Sequence, residues 1–326
     1  MPPTKVGIVG VGHMGKYHVG AYSEIMNVEI VGLVDQDEEK LAFARDIVKL
    51  PVFTDYRELF GKVDAVSIAV PTRHHFAVVK DFLEAGVHVL VEKPIAPKYE
   101  QALELFQIAE KHDLELHIGH VERFNAAVGE IKKIIADPFL IESRRIGPYS
   151  ARINDAGVVL DLLIHDIDIV QNLMDRPVKR FHVMGRRVVS DFEDLVNLQL
   201  EFEGGCVANL IASRVSELKA RTLSVSQKGM YIALDYTDQE IDIHRQSSSS
   251  YQLGPNQLKY RQESVIERIF VHKQNPLKLE LEHFLACAHG LTERMTTVEH
   301  DLSSLRVAID VLDALRAEGI SPAATE

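Results

Sequence analysis

Residues 5–35 read KVGIVGVGHMGKYHVGAYSEIMNVEIVGLVD, and the order of features within them decides the fold. Lys5–Gly10 is a short run rich in β-branched residues that ends in Gly10-Val11-Gly12-His13-Met14-Gly15. A helical pattern follows through Ile25, then a second strand pattern, Val28–Val34, which runs into Asp35. Strand, glycine turn, helix, strand and acid form the dinucleotide fingerprint in its required context. Gly10 permits the tight turn, Gly12 lets the backbone approach a pyrophosphate, and Gly15 lets helix and strand pack closely. The helix N-terminus then offers amide donors and its dipole to the phosphates. Asp35 stands where a carboxylate accepts from ribose hydroxyls and repels a 2′-phosphate. Its neighbours Gln36 and Asp37 bring no arginine, so NAD is favoured over NADP.

Outward from this stretch, strand and helix patterns keep alternating. They run over Pro51–Phe53, Tyr56–Phe60, Asp64–Val70, Arg73–Ala85, Val87–Val91, Pro97–His112 and Leu114–Gly119. Short connections between such elements predict a parallel, doubly wound sheet, here a Rossmann domain over 1–120. Ligands of such sheets lie beyond the carboxyl ends of the strands. Two strand ends carry unusual residues there: Pro71-Thr72-Arg73-His74-His75 and Glu92-Lys93-Pro94. Lys93 follows a buried strand and is held extended by Pro94, which aims its amine at the cofactor crevice. By position alone, His75 reads as a packing or capping histidine.

The remainder, 121–326, is expected to form a second domain for substrate binding and oligomerisation. Gly119–Asn125, GHVERFN, ends the alternation and offers His120, Arg123 and Asn125 as polar groups that face either a cleft or a solvated hinge. Arg144, Arg145 and Arg152 form a local basic cluster suited to an anionic substrate. Gly157–Met174, GVVLDLLIHDIDIVQNLM, reads as one buried helix. At about 100° per residue, Asp161, His165, Asp168 and Asn172 share a stripe roughly 60° wide on it. Burying such groups is costly without partners or a task. The stripe is a hydrogen-bond ladder, a metal wall or a catalytic face. Beyond it, short strand patterns from Arg180 to His244 and the Gly204-Gly205 hairpin signal predict an antiparallel sheet. Gln246–Gln257, with four serines in a row, reads as a mobile loop, and Leu277–Gly290 and Val298–Glu318 as closing helices.

Composition bounds the function. A chain of 326 residues suits two domains. Against 36 Lys and Arg stand 48 Asp and Glu, and the net charge of −12 argues against nucleic acid and anionic membranes. No apolar run approaches the roughly 20 residues of a membrane helix. Cys206 and Cys287 fit a reducing compartment and lack metal-ligand spacing, so the expectation is a cytoplasmic protein with no metal.

With these residues in view, the chain resembles the glucose–fructose oxidoreductase / inositol dehydrogenase / rhizopine catabolism family of NAD(P)-dependent oxidoreductases. The resemblance is carried by Gly10-x-Gly12-x-x-Gly15, Pro71 with His75, Glu92-Lys93-Pro94, and Asp161 with His165. It implies a Rossmann domain followed by an α+β domain with an open, largely antiparallel sheet that packs subunits into dimers or tetramers. It also implies that Lys93, Asp161 and His165 flank the reacting carbon as catalytic residues. The expected cofactor contacts are Gly10, Gly12, His13, Met14, Gly15, Asp35, Pro71, Thr72, His75, Glu92 and Lys93. The expected substrate contacts are Lys93, His120, Arg123, Asn125, Arg152, Asp161 and His165. GHVERFN, Arg152 and GVVLDLLIHDIDIV look like the branch that oxidises C3 of UDP-N-acetylglucosamine, a UDP-sugar whose 3-keto product goes to an aminotransferase. Another sugar or polyol such as an inositol, an NAD-using glycosidase, a non-catalytic NAD-binding regulator and a metal hydrolase or isomerase on His120, Asp161, His165 and Asp168 are the other readings.

Overall fold

A computed structural model describes residues 2–43, 45, 49–150, 156–254 and 257–322. Its first strands and helices follow the alternation: β1 (Thr4–Val9), α1 (His13–Ser23), β2 (Val28–Val34), α2 (Glu38–Phe43), β3 (Val52–Phe53), β4 (Ala65–Ile68), α3 (His75–Glu84), β5 (His88–Glu92), α4 (Tyr99–Lys111) and β6 (Leu116–Gly119). These six strands make a parallel sheet in the order β3-β2-β1-β4-β5-β6. The order reverses between β1 and β4, the place where a doubly wound sheet opens a crevice beside the first strand's turn.

The remaining elements are α5 (Ala126–Ile134), β7 (Pro138–Ile146), a π-helical turn (Val159–Leu163) running into α6 (Ile164–Met174), β8 (Val178–Arg186), β9 (Leu195–Phe202), β10 (Val207–Ser213), β11 (Ala220–Gln227), β12 (Met230–Asp235), β13 (Glu240–Gly254), β14 (Gln257–Ile269), α7 (Pro276–Ala288) and α8 (Val298–Ala317). β7 to β14 form an eight-stranded sheet in the order β14-β13-β12-β11-β7-β10-β9-β8, antiparallel except for the β7–β10 pair. Gly204 and Gly205 both have φ of 89°, the paired left-handed geometry of a tight hairpin between β9 and β10. One face of the sheet is apolar at alternate positions, as in Val196, Leu198, Leu200 and Phe202 of β9.

Three expectations are corrected. First, the serine-rich stretch is not a loop: Gln246–Gly254 continues β13, and its backbone pairs in register with β14, Ser248 opposite Gln262. Polar composition does not break a strand whose main-chain groups find a neighbouring strand. Second, the helix over 157–174 is not uniformly α, because five residues at its start are wound as a π turn. Third, the chain after residue 120 does not form one unbroken unit. One compact unit comprises Met1–Phe124 with Asn275–Ile309, and the other Asn125–Gln274 with Asp310–Glu326.

The physical reason for that division is that a parallel sheet must be covered on both faces. α3, α4 and the start of α8 (Leu302, Leu305) cover one face of the first sheet. On the other, α1 is joined by Leu277, Leu281, Phe284 and Leu285 of α7, which pack with Val6, Ile8, Val19 and Leu90.

Candidate functional site

In the first unit the glycine turn has the geometry that a dinucleotide requires. Gly10 has φ of 93°, and a Cβ on it would stand 2.4 Å from the Ala69 carbonyl oxygen. A Cβ on Gly15 would lie 1.8 Å from the Gly10 oxygen, so α1 packs against the turn only because Gly15 lacks one. A Cβ on Gly12 would meet nothing within 4 Å, which leaves the room that a pyrophosphate needs over the start of α1. Asp35, at the end of β2, is tied to the turn: its Oδ2 accepts from the Val11 N–H at 2.8 Å, and its Oδ1 from the Asp37 N–H at 3.0 Å. His13 is exposed at the first turn of α1 and packs edge-on against Tyr17, and Met14 beside it is half-buried. These residues fit NAD.

At the next strand ends, Pro71 is exposed and Thr72 half-buried, at the start of a short 3₁₀ turn that leads into α3. His75 is buried, and its two ring nitrogens lie 2.8 Å from the carbonyl oxygens of Pro94 and Val70. Burial holds its pKa below the usual imidazole value although both carbonyls pull the other way. Its ring thus ties the segment at Val70 to that at Pro94. Lys93 is half-buried at the end of β5, and the Lys93–Pro94 bond is cis. Glu92, just before it, is buried, and His18 of α1 meets its Oε1 at 2.9 Å. Burial alone would raise the Glu92 pKa, but the His18 hydrogen bond and the charges of His18, Lys93 and His75 bring it below the usual carboxylate value. Glu92 thus braces the strand end from within. His18 was missed in the sequence, although it lies three residues after Gly15 and four before Tyr22, on the buried side of α1.

The crossing segment is more structural than expected. His120 is buried at the end of β6, with its N–H on the Ile118 carbonyl at 2.7 Å. The Arg123 guanidinium is buried and donates to Asp301 at 2.6 Å and to Thr296 at 2.7 Å. Burial would raise the Asp301 pKa, but the charges of Arg123, Arg294 and His120 hold it below the usual range. Asn125 caps α5, accepting from Ala127 N–H at 3.1 Å and donating to the Tyr236 carbonyl at 3.1 Å. Arg123 and Asn125 thus both make hydrogen bonds within the fold.

In the second unit Asp161 sits in the π turn and His165 in the first turn of α6, both half-buried. π turns recur at functional sites because they re-aim side chains within a helix. Asp168 is buried, and Asn172 accepts from Lys132 at 2.6 Å. Arg144 and Arg145 do not share a face. Arg144 is exposed, whereas Arg145, on the opposite face of β7, is buried in a two-pronged pair with Asp166 at 2.9 and 3.1 Å. Alternation along a strand sends neighbours to opposite faces, a signal available in the sequence. Arg152 lies outside the described residues. Among the described residues no group of three His, Cys, Asp or Glu could hold a metal ion, and no helix is long and apolar enough to cross a membrane.

Comparison with known proteins agrees with this geometry. Residues 4–120 match the oxidoreductase family with an NAD-binding Rossmann fold, and residues 125–232 match the GFO/IDH/MocA C-terminal domain. The chain is 31% identical to the UDP-N-acetylglucosamine 3-dehydrogenase of Acidithiobacillus ferrooxidans over 86% of its own length and 87% of that protein's. A solved structure of that dehydrogenase superposes with a TM-score of 0.85 at 30% identity, covering 97% of this chain and 99% of the other. The Rhizobium meliloti rhizopine catabolism protein MocA is 28% identical over 56% of this chain and 61% of its own. Fingerprint, fold and relatives together make the chain an NAD-binding oxidoreductase and a member of the GFO/IDH/MocA family.

Proposed function

We propose that the protein uses NAD to oxidise a secondary hydroxyl of a sugar, and that the sugar is UDP-N-acetylglucosamine, oxidised at C3. The observation that carries this reading is the 31% identity, across 86% of the chain, to a UDP-N-acetylglucosamine 3-dehydrogenase. Such an oxidation needs an acceptor for the carbon-bound hydrogen with its electron pair and a base for the hydroxyl proton. NAD, when bound, supplies the acceptor. The turn at Gly10, Gly12 and Gly15 and the Asp35 carboxylate bind and orient it. Lys93 hydrogen-bonds the reacting oxygen, His165 takes its proton, and Asp161 orients the imidazole and stabilises its protonated form. In this reading the enzyme is a cytoplasmic homodimer or homotetramer whose 3-keto nucleotide sugar passes to an aminotransferase.

The test is to incubate the protein and NAD with UDP-N-acetylglucosamine or with myo-inositol and follow NADH absorbance, with and without an oxo acid that recycles bound NADH. Turnover is expected with the nucleotide sugar. Silence with it under both conditions, beside turnover of myo-inositol, overturns the substrate assignment.

A further inference from the structure

The helix that carries Asp161 and His165 is held at its start by side chains that the reading above does not use. Val158 donates its N–H to the Glu193 carbonyl at 3.0 Å, and Val159 donates to Glu193 Oε1 at 3.2 Å. Glu193 thus accepts from two of the amides that a helix start leaves without intrahelical partners, and its charge faces the positive end of the helix dipole. Gly157 makes this approach feasible, because a Cβ there would stand 2.0 Å from Glu193 Oε1. Ser321, beyond α8, donates its hydroxyl to Glu193 Oε2.

Asp194 extends the anchor. Its Oδ2 accepts from the N–H groups of Val188, Val189 and Ser190 at 2.8, 2.8 and 3.0 Å. Its Oδ1 accepts from the Ser190 hydroxyl at 2.7 Å and from Arg214 Nε at 2.8 Å. Burial alone would raise the Asp194 pKa, but these donors hold it well below the usual carboxylate range. Arg214 then donates to the Ala156 carbonyl, the residue before Gly157, at 2.8 Å. A second clamp closes on the other side of the π turn, where Arg145 grips Asp166.

We propose that Glu193, Asp194 and Arg214 are positioning residues that set the start of this helix and, with the Arg145–Asp166 pair, its π winding, and so aim Asp161 and His165. The π turn, Val159–Leu163, starts at the first clamp and ends three residues before Asp166, within the segment that the two clamps bracket. An α-helix released at its start would relax to the commoner winding and turn Asp161 relative to His165. The proposal rests on the reading of His165 as the base. Misplacement of a reacting group by about 1 Å costs on the order of 10²-fold in rate.

The experiment uses the full chain with NAD and UDP-N-acetylglucosamine and compares Glu193→Ala, Glu193→Gln and Gly157→Ala. Glu193→Ala and Gly157→Ala are expected to lower kcat by about 10²-fold, with NAD affinity, read by titration of NADH fluorescence, within about twofold of wild type. Glu193→Gln keeps an acceptor for the Val159 N–H and should recover most of the loss. The kcat–pH limb assigned to His165 should move in Glu193→Ala. A kcat near wild type in both Glu193→Ala and Gly157→Ala overturns the proposal, as does an equal loss of kcat and NAD affinity. If Glu193→Ala fails to fold, Gly157→Ala decides the matter alone. Amide exchange at Val159 separates this proposal from the functional one. Should wild type oxidise no sugar, the functional reading falls. Faster exchange in Glu193→Ala would still support the clamp, and unchanged exchange would overturn it.

Discussion

A neutral amine and an imidazole can each take the proton of an alcohol, but only the imidazole changes charge near neutral pH without a perturbed environment. The two roles are therefore tested by removing Lys93 and His165 one at a time. Lys93→Met and His165→Ala are each expected to lower kcat by about 10²–10⁴-fold while NAD binding, measured by titration, stays near wild type. Turnover like wild type in either variant removes that residue from the mechanism. At this scale, what the sequence made legible was set by local backbone geometry. Gly10, Gly15 and Asp35 work within one turn and its flanking strand, so spacing alone locates them. Glu193 and Arg214 were invisible because their partners lie 34 and 58 residues away, and no local pattern encodes such a pairing. The hydrogen bonds of Arg123 and Asn125 within the fold were hidden for a related reason. A polar side chain looks the same in a sequence whether it meets a ligand or a distant carboxylate such as Asp301.

For the helices and strands, periodicity located nearly every element but not its winding or its neighbours. The apolar pattern of 157–174 is the same for an α-helix and for one that opens with a π turn; the difference comes from the groups that grip its ends. Of those groups, the Arg145–Asp166 pair is buried on both sides, so removing one partner leaves a charge without compensation. Arg145→Met should lower the unfolding free energy by about 3–5 kcal/mol in denaturant titration, and a second change, Asp166→Leu, should return much of it. An Arg145→Met variant as stable as wild type would show that the pair contributes no anchoring. The β13–β14 ribbon teaches the complementary lesson, since a run of serines suggested a loop while main-chain pairing made a strand.

Across the whole molecule, stability should fall on mild acidification. Burial holds the pKa values of His75 and His117 below 6.5 in the folded chain. As pH drops through 6.5 the unfolded chain takes up protons that the folded one refuses, so stability present above that value is lost below it. Each group contributes up to about 1.4 kcal/mol per pH unit. Thermal unfolding between about pH 7 and pH 5 should show this, with a shallower fall in His117→Gln; an equal fall would exclude His117 as a cause. The fold class was readable at this scale, but the return of 275–309 to the first unit was not, because the need to cover the second face of a parallel sheet does not say which later helix will cover it. That return carries a consequence for how the protein is made. A ribosome delivers the six parallel strands within the first 119 residues, yet the helix that shields Leu90 and Ile8 is synthesised more than 150 residues later. During that interval the part of this apolar sheet face that α1 leaves open waits for its cover, and the nascent chain is most exposed to aggregation and to chaperones then.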